Sequence, residues 1–251
     1  MKPVKNYLSL FTKRVCGLGL LLGLHACNKP TEDFISLKPE ELLPMVKGKY
    51  ITYRVDSLVS TGPAQVTRYY RVRYQVDSLG KDNLNRPMWI VNRFQTDSGG
   101  IGPWIQSGQM QVVIEDKRAE VIENNIRVIK IQLPVREGFT WRGNAFVPDK
   151  PYAQYGTSLG LGEWDFTYAA VDKTEKIGNA TLSNVTTITH VSDSTGIPVV
   201  GVDKYASMLK SFEKYAKGTG LVYREHYVWE FQTNDKQFKG FGIKMWMIDR
   251  N

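Results

Sequence analysis

Cysteine and histidine are both scarce in this chain. Its 251 residues hold two cysteines, Cys16 and Cys27, and three histidines. Zinc centres draw on clustered His and Cys, and no such spacing occurs, so no metal and no cofactor is expected. Two cysteines do not make a disulfide framework. Long apolar runs are also missing. The apolar stretch "VCGLGLLLGL", residues 15–24, is about half the ~20 residues a membrane-spanning helix requires. No phosphate-binding loop is present, which removes one common enzyme signature. Charge of one sign is not concentrated either. The 33 basic and 25 acidic residues are interspersed, with no dense basic patch, and nucleic acid is not an expected partner. Finally, no strand–helix–strand rhythm is visible, which argues against a parallel sheet.

What is there begins at the front end. Lys2, Lys5, Lys13 and Arg14 precede the apolar stretch, and no acidic residue accompanies them. A basic head, a short apolar core and then a small residue is the layout of a secretory signal peptide. Leu24-His25-Ala26-Cys27 resembles the lipobox of bacterial lipoproteins. That resemblance implies a diacylglycerol thioether on Cys27, cleavage just before it with Leu24 and Ala26 as recognition residues, and acylation of the new amino terminus. Two or three acyl chains would anchor the chain stably, where a single one binds a membrane marginally. Cys16 would leave with residues 1–26, so the remaining 225 residues carry no thiol except the lipidated one. They hold 29 basic and 25 acidic residues, a balance of +4. The expected organisation is a signal peptide over 1–26, a polar tether over 27–41 and one folded domain over 42–251.

From Lys49 onward the dominant period is two. In "KYITYRVDSL", Ile51, Tyr53 and Val55 share one face. In "QVTRYYRVRYQVDSL", Val66, Tyr70, Val72, Tyr74 and Val76 share a face opposite Thr67, Arg71, Arg73, Gln75 and Asp77. Side chains alternate across a strand, so these segments read as strands with one buried face. Further strands are expected over 87–96, 109–116, 119–123, 126–133, 163–171, 180–191, 220–232 and 241–248. Asn124-Asn125 suits a tight hairpin turn, because Asn tolerates positive φ. The Asp-Ser pairs at 56–57, 77–78, 97–98 and 193–194 suggest strand ends, since both side chains bond nearby backbone. In "VDKYASMLKSFEKYAKGTG", the spacing of Tyr205, Met208, Leu209, Phe212 and Tyr215 predicts a helix over about 204–209, with Asp203 as cap and Gly218 as stop.

Several runs together resemble a group of uncharacterised outer-membrane-type lipoproteins common in Bacteroidetes. The specific ones are G-x-T-W-x-G-N at Gly138–Asn144 and Y-A-K-G-x-G-L-V-Y-R-E at Tyr215–Glu225. The resemblance implies bacterial origin, a lipid anchor and a mostly β body. It brings no catalytic residues, and it favours strand over helix for Phe212–Lys217.

Candidates for chemistry are few. Glu163 and Asp165 in "GLGEWDF" sit two apart, and paired carboxylates are the tools of glycoside cleavage. Two acids on a solvent face are also ordinary. His226 alternates with Arg224, Val228 and Glu230, which places it on the more polar face of its strand. Aromatics are plentiful, with six Trp and 13 Tyr, and most suit a β core. Trp104 stands out in the Gly-rich run "GGIGPWIQSG" as a candidate ligand-binding aromatic.

The expected fold is one mainly β, antiparallel domain. It would be a two-layer sandwich or a strongly curved half-barrel covered by a helix, with at most one or two short helices. Three functions fit such a chain anchored in the bacterial cell envelope, on the outer membrane in either leaflet. It could be a non-catalytic module binding an envelope protein or glycan, a carrier of a lipid or other apolar ligand, or a glycan-acting hydrolase. An enzyme is the least favoured.

Overall fold

The alternating segments become the strands of one continuous sheet. The structure is a computed structural model and describes residues 36–251 apart from 149–150, 157–159 and 200. Twelve strands run β1 (Tyr50–Ser60), β2 (Gln65–Lys81), β3 (Pro87–Asp97), β4 (Ile105–Glu115), β5 (Arg118–Glu123), β6 (Ile126–Gln132), β7 (Thr140–Trp141), β8 (Phe166–Ile177), β9 (Ala180–Thr195), β10 (Ala206–Ala216), β11 (Gly220–Gln232) and β12 (Gln237–Arg250). Their order in the sheet is β6-β5-β4-β3-β2-β1-β12-β11-β10-β9-β8-β7, and the named ladders are antiparallel. Within each half, β1–β6 and β7–β12, chain neighbours are sheet neighbours, and β1 pairs with β12 to join the two halves.

The sheet curls until its edges, β6 and β7, almost meet. Hydrogen bonds from both sides stitch that seam. Ile129 N donates to Gly143 O at 2.8 Å, and Trp141 Nε1 donates to Ile129 O at 2.9 Å. Tyr168 OH donates to Gln132 O at 3.0 Å. The seam occupies the G-x-T-W-x-G-N run at Gly138–Asn144. Gly143 lies flat against the ring of Phe166, with no room for a Cβ. Asn144 is buried, and its Nδ2 donates to Leu161 O at 2.7 Å. Of the two architectures expected, the curved sheet is the one formed. It closes further than a half-barrel, into a nearly complete barrel.

One end of the barrel is plugged. Helix α1 (Pro39–Leu42) starts with Pro at its first position, and the Glu41 carboxylate accepts the Lys38 N–H at 2.8 Å. Four residues cannot make a stable helix alone. The helix is held by Leu42 and Leu43, both buried in the largest apolar cluster, and by Gly218 N donating to Glu41 O at 2.7 Å. Residues 36–41, expected to belong to a tether, therefore pack on the body. Ser36 Oγ accepts the Val135 N–H at 2.7 Å, and Ser36–Asn251 forms one compact unit.

Most expected strands appear within a few residues of their predicted bounds, and Asn124-Asn125 turns with φ of +52° and +62°. The helix expected over 204–209 is instead the start of β10. Its helical spacing coexists with a two-residue period, and β9 and β11 take both of its hydrogen-bonding edges. Asp56-Ser57 and Asp77-Ser78, expected to end strands, lie inside β1 and β2.

Candidate functional site

Inside the barrel lies a cavity of about 1120 Å³. Small-molecule sites run to ~1,000 Å³, so this one takes a ligand of some length. At one end it is bordered by strand ends and turns, including Val59, Ser60, Gln95, Asn124, Asn125 and Gln237. That is the end opposite the α1 plug. The walls from β1, β2 and β12 are mainly apolar, with Val55, Val59, Val72, Phe241, Ile243 and Met245, and carry Ser57 and, toward the mouth, Ser60, Gln237 and Lys239. The walls from β6, β9, β10 and β11 are not.

Register creates the polar wall. Ser211 and Glu213 of β10 pair directly with His226 and Arg224 of β11, all four facing inward. A bulge where β9 meets β10, between Ser211 and Phe212, leaves His190 without a cross-strand partner. Its Nδ1 sits 2.8 Å from Ser211 Oγ, and its ring stacks on Phe166 at 3.7 Å between centroids. Lys130 reaches in from β6. Glu213, about 1% exposed, is the hub. It accepts from Lys130 Nζ at 2.8 Å, Arg224 Nε at 2.7 Å and Tyr215 OH at 2.7 Å.

Burial alone would hold the Glu213 carboxyl protonated. Lys130 and Arg224 outweigh that cost and keep it ionised, well below the usual carboxylate range. Burial lowers Lys130 despite its bond to Glu213, whereas Arg224 is raised because Glu213 outweighs its desolvation. Burial also lowers both histidines. His226 falls to about 3, with Lys130 and Arg224 adding to the effect, so both rings are neutral at pH 7.

Neutral rings fix the hydrogen-bond direction. His226 Nδ1 lies 3.0 Å from the same Ser211 Oγ. One hydroxyl proton serves one imidazole, so the other ring must donate its own Nδ1–H. Glu213 Oε2, 3.8 Å from His190 Nε2, favours a proton on that nitrogen. Ser211 then donates to His190, and His226 donates to Ser211. The His226 Nε2 is left with a bare lone pair, buried and unpaired among the described residues beneath Tyr152, Trp164 and Phe241. Ser211 is about 1% exposed and acts as a bridge between two strands and a bulge.

The residues singled out in the sequence lie elsewhere. Trp104 is half-buried on the outer face, where the Arg73 guanidinium stacks on it at 4.5 Å and on Tyr50 at 4.4 Å. Its ring is thus engaged from one side. Glu163 and Asp165 are exposed in the connection ahead of β8, outside the cavity lining, and Asp165 lies 3.9 Å from an equally exposed Arg142. Glu163 is not on a strand, since β8 begins at Phe166. Cys27, Leu24 and Ala26 fall outside the described residues. The polar face of β11, expected to meet solvent, turns inward, while its aromatic face (Tyr223, Tyr227, Trp229, Phe231) turns outward. Trp229 and Phe231 are covered there by Phe238 and Met208. The signal for the site was present as Ser211/Glu213 and Arg224/His226 at two-residue spacing on consecutive strands.

No protein-family model matches the chain, and no curated protein matches it. Two solved structures show a likeness. One is a protein assigned as exported, with a YmcC-like fold, from Bacteroides fragilis NCTC 9343. It is 12% identical, with a TM-score of 0.38 over 82% of this chain and 97% of that one. The other is a domain assigned as an outer membrane lipoprotein-sorting protein from Vibrio parahaemolyticus, 10% identical, with a TM-score of 0.19 over 81% and 85%. At these values neither likeness carries an argument about architecture or activity.

Proposed function

We propose that this chain is a lipid-anchored lipoprotein of the bacterial cell envelope whose barrel carries a single amphiphilic molecule without transforming it. The cavity is the observation that supports this reading. A binding module that works through its outer surface needs a filled core, and protein interiors are close-packed when function does not require otherwise. Here about 1120 Å³ is left unfilled, apolar along one side and hydrogen-bonding along the other. A lipid or similar amphiphile has both characters. The anchor rests on the basic head, the short apolar core and Leu24-His25-Ala26-Cys27. The envelope location, and the outer membrane within it, rest on the same residues together with the Bacteroidetes lipoprotein resemblance.

Ser57 supplies the test. It lies mid-wall on β1, faces the cavity and is small. Ser57→Trp fills the space without touching the charged cluster. The chain from residue 27 onward should enhance the emission of the apolar fluorophore N-phenyl-1-naphthylamine at one saturable site, and Ser57→Trp should abolish that enhancement while melting within a few degrees of the parent. No saturable enhancement in the parent, or equal enhancement in the variant, would refute the carrier reading.

A further inference from the structure

Arg224 has more donors than its protein partners use. Its Nε is spent on Glu213, but among the described residues neither Nη makes a hydrogen bond, and the side chain lines the cavity. The other interior arginine differs. Arg93 places Nη1 on Glu123 at 2.9 Å, Nη2 on Ser107 O at 2.8 Å and Nε on Ser107 Oγ at 3.3 Å. Arg224 is therefore braced from behind at Nε with its two-nitrogen fork free, the arrangement that suits a carboxylate or phosphate. Lys130 stands beside it on the same Glu213 oxygen, and among the described residues its ammonium makes no other hydrogen bond.

Charge points the same way. The cavity is lined by Arg93, Lys130, Arg224 and Lys239 against Glu123 and Glu213, and both histidines are neutral. Arg93 is matched by Glu123, and Lys239 by Asp235 at 2.8 Å. Glu213 is left to balance both Lys130 and Arg224, so the interior has one positive charge in excess.

Depth sets the orientation. Arg224 is level with Met245 and Val55 across β11, β12 and β1, whereas Val59, four residues nearer the mouth, is about 13 Å higher at ~3.3 Å per residue. Below Arg224, Val222, Met247 and Tyr53 pack into a solid apolar cluster. A head group that reaches Arg224 leaves its tail along Val55, Val59, Phe241 and Ile243, pointing to the mouth.

Resting on the carrier reading, we infer that the amphiphile carries an anionic head, a carboxylate or phosphate monoester, held deep in the barrel by the Arg224 fork with Lys130 beside it. The test displaces N-phenyl-1-naphthylamine from the chain beginning at residue 27 with oleate, oleoyl lysophosphatidate and methyl oleate. Charge-assisted hydrogen bonds of this type correspond to about ten- to hundredfold in affinity. The parent should bind at least one of the two anions about tenfold or more tightly than methyl oleate, and which anion wins identifies the head group. Arg224→Gln should erase that preference and leave methyl oleate unchanged. Arg224→Lys keeps the charge and the brace on Glu213 but loses the fork, so it should keep part of the preference; it serves if the Gln variant does not fold. Equal binding of all three by the parent, or equal loss of all three in a folded Arg224→Lys variant, overturns the inference while leaving the carrier reading intact. If the fluorophore binds nowhere, the carrier reading fails and this inference with it.

Discussion

At the scale of the residue, the molecule turns on Glu213. A carboxylate buried to this degree persists because three donors surround it, and two of those donors are themselves charged groups withdrawn from water. Removing one partner of such a set leaves the others uncompensated, which is costlier than the set was stabilising. Glu213→Gln should therefore lower stability in urea by about 3–5 kcal/mol at pH 7. The same cluster gives stability a pH dependence of fixed sign. His226 titrates near 3 in the fold against an ordinary 6.5, so the unfolded chain takes up protons first as the pH drops. Its contribution is complete above about pH 6.5 and is lost progressively toward pH 3. Glu213, held below its ordinary 4.5, adds a further loss in the same direction below that pH. The urea midpoint should fall steadily from pH 6.5 to 4.5, and His226→Gln should make that part of the curve shallower, leaving the share that buried His190 contributes. A midpoint that stayed level or rose there would contradict the buried, neutral placement of His226. None of these residues looked functional from sequence. Arg224, His226 and Glu230 read as a solvated face because a polar stripe ordinarily meets water, and only closure of the sheet turns such a stripe inward. Trp104, which did stand out, is partly covered by Arg73.

At the scale of the element, most of the fold was legible. A two-residue alternation, broken at Arg68 and Tyr69, marked β1 and β2; Tyr53, Val55, Val72 and Val76 are buried as that alternation requires, while Val66 near the mouth is exposed. β11 runs over the same residues that were expected, Gly220–Gln232. The failures have local causes. β10 points Ser211 and Glu213 into the cavity and Met208 and Phe212 outward, so its apolar residues lost the simple alternation of a half-buried strand and mimicked a helix. The seam was invisible for another reason. β7 has two residues, too few to show any period, and its role depends on meeting β6 across the barrel. The seam can be tested at Gly143. A methyl group there would run into the Phe166 ring beside the Ile129–Gly143 hydrogen bond. Gly143→Ala should cost about 1–3 kcal/mol, the range for overpacking a tight contact. Hydrogen exchange should show the Ile129 amide losing protection before the β1–β12 ladder does. Unchanged stability with the Ile129 amide still protected would mean that the barrel is not closed at this point.

At the scale of the whole molecule, the antiparallel class followed from alternation, but alternation is the same in a sandwich and a barrel. What separates them is long-range. One meander of twelve strands, joined through β1 and β12, brings its first and last edges together and encloses a space. The runs that carried the lipoprotein resemblance now have places in that shape. Gly138–Asn144 stitches the seam, and Tyr215–Glu225 forms the β10–β11 hairpin that presents Tyr215 and Arg224 to the interior. A plug at one end, a mouth at the other and a charged wall between them make a container for something part apolar and part polar. Native mass spectrometry of the full chain, expressed in a bacterium and extracted from its envelope, examines that container as the cell fills it. The spectrum should show a chain starting at Cys27 with covalent acyl mass, plus one further amphiphile of lipid size that collisional activation strips as a single step. A chain that carries its covalent lipid and nothing else, under gentle conditions that preserve known lipid complexes, would contradict the carrier.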